Sequence, residues 1–203
     1  MKITLTNTGK RFNREWIFRG FSHEFAAPKK YAITGPNGSG KSTLLQVISG
    51  SLTHSEGTVQ FANGRAVTEA EHHFKYISIA APYLELIEEM TANEFLTFHT
   101  QFKPLTITAE EALKITNLSN AANKQIRYYS SGMKQRLKLA QAFFSTSPVL
   151  LLDEPTTNLD REGVELYLQL INNYTSGKLV IISSNVLEEY QFCDEVISIK
   201  NYK

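Results

Sequence analysis

Cysteine is nearly missing: the chain has one, Cys193, in 203 residues. A lone thiol excludes a disulfide framework and suits a reducing compartment, where its simplest role is to fill space in the core. An excess of charge of one sign is missing as well. The 21 lysines and arginines and 20 aspartates and glutamates leave a net charge of +1, so no global field draws the chain to nucleic acid or to an acidic membrane. No apolar run reaches the length of a bilayer-spanning helix. Residues Met1–Thr6 alternate like a strand and lack a signal-peptide core. Metal-type clusters are scarce, because His72-His73 has no second ligand pair at metal-site spacing. The expectation is a soluble, cytoplasmic chain without a nucleic-acid partner, whose place at any membrane depends on another protein. Its 42% hydrophobic residues can build a sizeable core in one domain, or in one domain with a small subdomain.

What is present begins with Gly35-Pro36-Asn37-Gly38-Ser39-Gly40-Lys41-Ser42-Thr43. It fits G-x-x-x-x-G-K-[ST], the phosphate-binding loop, and lies between the β-type run Tyr31–Thr34 and the helical run Leu44–Ser49, as the motif requires. Glycines at 35, 38 and 40 let the backbone curl its N–H groups inward at a helix N-terminus, which makes a nest for anionic oxygens. Lys41 would neutralise β- and γ-phosphates, Ser42 would place a hydroxyl on Mg²⁺, and Thr43 would touch the phosphates from the next position.

The rest of the chain reads in order. Residues 2–27 suggest short strands, with Trp16–Phe18 and Phe21–Phe25 separated by turns. Phe12, after Lys10 and Arg11, is open between two readings: a core residue, or an aromatic that stacks on a base. Asn63-Gly64 after Gly57–Ala62 signals a hairpin, and Tyr76–Ala80 suggests a strand. Residues 82–130 lose the β character. Thr91–Phe102 has a helical apolar face, and Thr108 with Glu111 forms a capping box. Ser130-Ser131-Gly132 precedes the helical run Leu137–Phe144; it is either an ordinary capped helix start or a second anion site. Val149–Leu152 describes a strand buried on both faces. It delivers Asp153 and Glu154 to the edge where open α/β sheets bind ligands. Asp153 would enter the Mg²⁺ shell and Glu154 would act as general base, unless the pair merely caps the next helix. A helix over Arg161–Asn173, a strand over Leu179–Ser183, a short helix over Leu187–Phe192 and a last strand over Glu195–Lys200 complete the pattern. The fold class expected is α/β: a P-loop NTPase core with a mainly parallel sheet, an N-terminal antiparallel β subdomain and a helical subdomain at about 82–135 inserted in a single domain, 1–203.

Taken together, the motifs resemble those of the ATP-binding cassette (ABC) ATPases, the nucleotide-binding subunits of bacterial ABC transporters. Tyr129-Ser130-Ser131-Gly132-Met133-Lys134-Gln135-Arg136 is similar to the family signature. Leu150-Leu151-Leu152-Asp153-Glu154-Pro155 resembles Walker B with its glutamate, Asn158-Leu159-Asp160 resembles the D-loop, and Phe12 stands where the adenine-stacking aromatic lies. Three positions depart from the family pattern. Ala81 or Pro82 holds the place of the Q-loop glutamine, Asn185 that of the switch histidine, and Pro28-Lys29-Lys30 that of a Pro-Gly pair. Asn185 can donate a hydrogen bond to a phosphate but cannot carry a proton's charge.

The resemblance implies two cassettes, as a homodimer or a heterodimer with a second cassette, closing head to tail on two molecules of ATP and Mg²⁺. Each site would join the phosphate loop, Asp153, Glu154 and Asn185 of one chain to Ser130 and Gly132 of the other. A polytopic membrane subunit would be driven from the inner face of the membrane. Other readings are an ATP-binding regulatory subunit with little hydrolysis, favoured by Ala81 and Asn185, and a soluble ABC ATPase outside transport. A small-molecule P-loop kinase leaves the Ser130–Arg136 segment unexplained.

Overall fold

The computed structural model describes residues 1–64, 66–68 and 70–203, without the side chains of 66–68 and 70–72. Among the described residues, two sheets share the chain. The first is antiparallel, in the order β2-β1-β4-β5, from β1 (Lys2–Phe12), β2 (Glu15–Ala26), β4 (Glu56–Asn63) and β5 (Ala66–Thr68). The second is wholly parallel, in the order β6-β7-β8-β3-β9, from β3 (Lys30–Thr34), β6 (Ile77–Ala80), β7 (Val149–Asp153), β8 (Leu179–Ser183) and β9 (Glu195–Ser198).

The parallel strands are buried on both faces, and their alternation divides two cores. Val149, Leu151, Leu179 and Ile181 face helix α1 (Lys41–Ser49) and the antiparallel sheet, with Phe18, Phe21, Phe25 and Leu45. Leu150, Leu152, Val180 and Ile182 face the helices α2 (Ala92–Thr100), α3 (Ala109–Ile115), α4 (Ser131–Phe143) and α5 (Arg161–Tyr174). The chain thus forms layers around the parallel sheet, which the alternating pattern of a strand allows and helix spacing does not.

Several boundaries differ from the sequence reading. Residues 15–26 form one strand, not two; the turns expected there are register shifts within a long hairpin, between Leu5 and Thr8, Thr8 and Lys10, and Lys10 and Arg11. Bulges bend a strand without ending it. Helix α4 starts at Ser131 rather than Leu137, because Ser130 caps it through the Met133 N–H at 3.2 Å. The last strand stops at Ser198 and turns into a 3₁₀ helix over Ile199–Tyr202. The Asn63-Gly64 hairpin pairs β4 with β5, with Asn63 opposite Ala66 as its last strand residue. Of the histidine pair, the His72 side chain lies outside the described residues; the His73 ring is buried and stacks on Phe61 at 3.8 Å.

Candidate functional site

Register alone gathers the motif residues at one edge. Ile33 and Asp153 both lie opposite Ser183, and Ala80 lies opposite Leu152. The carboxyl ends of β3, β8, β7 and β6 therefore deliver the 35–43 loop, Ser184-Asn185, Asp153-Glu154 and Ala81–Tyr83 side by side, where a parallel sheet opens to ligands.

The loop turns on its glycines. Gly40 has φ of 100° and caps α1, and a Cβ there would meet Ile17 Cγ2 at 2.6 Å. At Gly35, φ is 151° and a Cβ would meet Ser39 Oγ at 2.7 Å. Neither place admits a side chain. Gly38 and the neighbouring Pro36 and Asn37 are exposed at the crown of the loop, and Ser42 and Thr43 lie in the first turn of α1. Lys41 is only 4% exposed, and its ammonium donates to the carbonyls of Gly35 at 3.0 Å and Pro36 at 3.4 Å. A buried ammonium satisfied by two neutral carbonyls keeps its charge available to an anion.

Asp153 is 1% exposed and its Oδ1 has no hydrogen-bond partner. Burial raises its pKa above the ordinary carboxylate value, and Glu154 adds to the rise; the Ser42 and Ser183 hydroxyls and Lys41 pull it down. A buried, unpartnered carboxylate oxygen beside a serine hydroxyl suits a hard divalent cation that takes one or two protein oxygens and finds the rest on phosphate and water. Among the described residues no group of three or more His, Cys, Asp or Glu could hold a metal, so a cation here would depend on the ligand it accompanies.

Glu154 sits at φ 43°. A non-glycine residue in that region costs about 1–3 kcal/mol and persists only where its surroundings fix it. Its N–H donates to Ser183 O at 2.9 Å, and the Thr157 N–H donates to Glu154 O at 3.1 Å. Glu154 lines a cavity of about 630 Å³ together with Asn37, Ser184, Asn185 and Glu189, and its Oε2 accepts from the Thr157 hydroxyl at 3.5 Å. Asn185 bridges back to the loop, accepting from the Gly35 N–H at 3.2 Å and donating to Asn37 Oδ1 at 3.1 Å.

Ser130 and Gly132 are elsewhere. They line a second cavity, of about 310 Å³, with Arg136, Asn158 and Asp160, and it shares no residue with the first. There the Asp160 carboxylate caps α5 through the Gly163 N–H at 2.8 Å and accepts from Arg136 at 3.0 Å. Phe12 is 49% exposed, which removes the core reading, and Lys10 Nζ stands over its ring, 5.0 Å from the centroid.

Three residues of the site escaped the sequence reading. Gln135, 3% exposed, donates to Pro155 O at 2.7 Å and so ties α4 to the Glu154 turn. A polar residue on the buried stripe shared with Leu139 and Ala142 was the available sign. Tyr83 lies on the segment that replaces the Q-loop glutamine; the residue is 41% exposed overall, but desolvation at its phenol, then the Asp153 charge, pushes that group up to about 12. Glu189 is buried on a four-residue helix, α6 (Leu187–Tyr190), and nothing in the run Glu188-Glu189 marks it out.

Comparison with known proteins agrees with this geometry. The ABC transporter family model matches residues 18–157. The ABC transporter ATP-binding protein YxlF of Bacillus subtilis is 36% identical over 176 residues, 84% of this chain and 58% of that protein. The Nod factor export ATP-binding protein I of Burkholderia lata is 31% identical over 206 residues, 98% of this chain and 67% of that one. The chain thus spans under two thirds of the first relative and about two thirds of the second. Among solved structures, the dimeric bacterial ABC transporter cassette MJ0796 superposes with a TM-score of 0.83 at 25% identity, covering 97% of this chain and 93% of that one. On these grounds the chain belongs to the ATP-binding cassette ATPases, the nucleotide-binding subunits of ABC transporters.

Proposed function

We propose that the chain binds ATP with Mg²⁺ on the 35–43 loop, hydrolyses it with Glu154 as general base, and works as one of two cassettes that power a polytopic membrane subunit. The observation that carries this is the convergence of a buried Lys41, an unpartnered Asp153 oxygen beside Ser42, and a strained Glu154 lining a cavity at one sheet edge. Lys41 and the loop N–H groups would hold the β- and γ-phosphates, and Phe12 would stack on the adenine, a contact worth about 1–3 kcal/mol. Ser42 and Asp153 would hold Mg²⁺, whose charge offsets that of the phosphates. Glu154 would take a proton from the attacking water, a contribution of about 10²–10⁴ in rate. Asn185 would offer one neutral hydrogen bond to the γ-phosphate once it releases Asn37.

In this reading residues 1–203 act as a single ATPase domain, and the helices between 82 and 135 form the subdomain that meets the membrane subunit. The second cavity, with Ser130 and Gly132, completes the site of a partner cassette; the dimeric state of the MJ0796 cassette supports that pairing. Among the described residues no helix is long and apolar enough to cross a membrane, so attachment at the inner face would pass through the partner. The test is steady-state phosphate release. The expected result is slow, measurable turnover by the wild type and a loss of about 10²-fold or more in Glu154→Gln. Equal rates would leave a regulatory ATP-binding subunit, the second reading, which Ala81 and the loop-engaged Asn185 favour.

A further inference from the structure

Glu189 is 2% exposed, and a carboxylate so buried persists only where it is partnered. Its Oε1 accepts from the Thr156 N–H at 2.9 Å and also from the Thr156 hydroxyl. Its own carbonyl accepts from the Tyr167 hydroxyl at 2.7 Å, which fixes α6 on α5. Its Oε2 is buried without a partner, and the residue lines the cavity that holds Glu154 and Asn185. Thr156 is two residues beyond Glu154, inside the turn that the Thr157 N–H closes on Glu154 O. The turn is thus gripped from three sides: by Ser183 O through the Glu154 N–H, by Gln135 through Pro155 O, and by Glu189 through Thr156. Only the last grip comes from the element that directly follows Asn185.

We infer that Glu189 is a positioning residue for hydrolysis: it anchors Thr156 so that the strained turn keeps Glu154 aimed into the cavity, and it makes the Asn185 segment and the Glu154 turn move as one unit. The inference rests on Glu154 as the base. Glu189 touches no reacting atom; it acts through Thr156. A displacement of about 1 Å at a reacting group can cost on the order of 10² in rate, so the loss belongs in kcat and not in ATP binding, which the 35–43 loop carries.

The experiment compares wild type, Glu154→Gln, Glu189→Ala and Glu189→Gln by phosphate release across MgATP concentrations, with melting temperature and amide exchange at Thr156 for each. Glu189→Ala is expected to lower kcat by about 10²-fold with KM within about threefold, and to expose the Thr156 amide to exchange. Glu189→Gln keeps an oxygen that can accept both Thr156 donors and is expected to recover kcat to within about tenfold of wild type, with the amide protected. Unchanged kcat in Glu189→Ala, a parallel shift of KM and kcat, or Glu189→Gln as slow as Glu189→Ala would overturn the inference while leaving Glu154 as base. Wild type no faster than Glu154→Gln would remove the base itself and this role with it. Should Glu189→Ala not fold, Thr156→Val deletes only the hydroxyl donor; kcat down about tenfold at constant KM supports the clamp, and unchanged kcat overturns it.

Discussion

Lys41 is buried against two carbonyls of its own loop, so its charge is pre-placed and not recruited. Lys41→Ala removes that charge from a site where water screens it poorly. Affinity for a fluorescent ATP analogue is expected to fall at least about tenfold; unchanged affinity would contradict the phosphate-loop assignment. Asn185 poses a different question. Its amide is engaged at both ends by the loop it faces, and it can give a phosphate only a neutral bond, about half the strength of a charge-assisted one. Asn185→His is expected to raise the turnover number several-fold, measured by phosphate release; a drop would show that the amide bridge itself supports catalysis. At this scale the sequence showed the contiguous stretches 35–43 and 153–154, which the structure brings to one sheet edge, and their chemistry is the reading proposed above. The Asn37–Asn185 bridge spans 148 residues, and the Gln135 and Glu189 grips on the Glu154 turn also join distant segments. Local spacing cannot show such pairs.

Among the elements, helix starts with strong caps were readable and those with weak formers were not. Thr108 and Glu111 form the expected capping box, and Thr91 and Glu94 form a second. Helix α4 begins inside Ser131-Gly132, residues of poor helix propensity, because the Ser130 cap and burial of Leu137, Leu139 and Ala140 override that propensity. Helix α2 also carries a pH signature. The His99 Nε2 is buried without a partner, and Gln141 Nε2 lies 3.2 Å from its Nδ1. Burial, and then Lys103, lower its pKa from 6.5 to about 4. Between those values the unfolded chain binds a proton that the folded chain refuses, so stability falls as pH drops from 6.5 toward 4 and is unaffected by His99 above that window. His23, also held down by burial, adds to the same slope. Urea midpoints at pH 7 and 5 should therefore differ less in His99→Gln than in wild type; equal differences would place His99 in water.

At the scale of the whole molecule, the two cavities proposed as half-sites do not meet. The cavity with Glu154 and Asn185 and the cavity with Ser130 and Gly132 share no residue, and a Cβ at Gly132 would meet Asn158 O of the same chain at 3.0 Å, so the glycine lets the start of α4 pack closely on the backbone at Asn158. The layered α/β fold was legible because buried strands and periodic helices announce themselves. The separation of the signature from the phosphate loop followed from the family resemblance alone, since no residue in either stretch encodes which chain it faces. In the proposed cycle ATP is the glue between two copies, or between this chain and a second cassette. The most direct measurement is light scattering of Glu154→Gln with and without MgATP, repeated with Ser130→Arg added. The expected result is a dimer with ATP, a monomer without it, and no dimer when Ser130 is Arg. A Glu154→Gln protein that binds ATP yet stays monomeric at high concentration would contradict the homodimeric sandwich, and a dimer indifferent to Ser130→Arg would contradict the shared site itself.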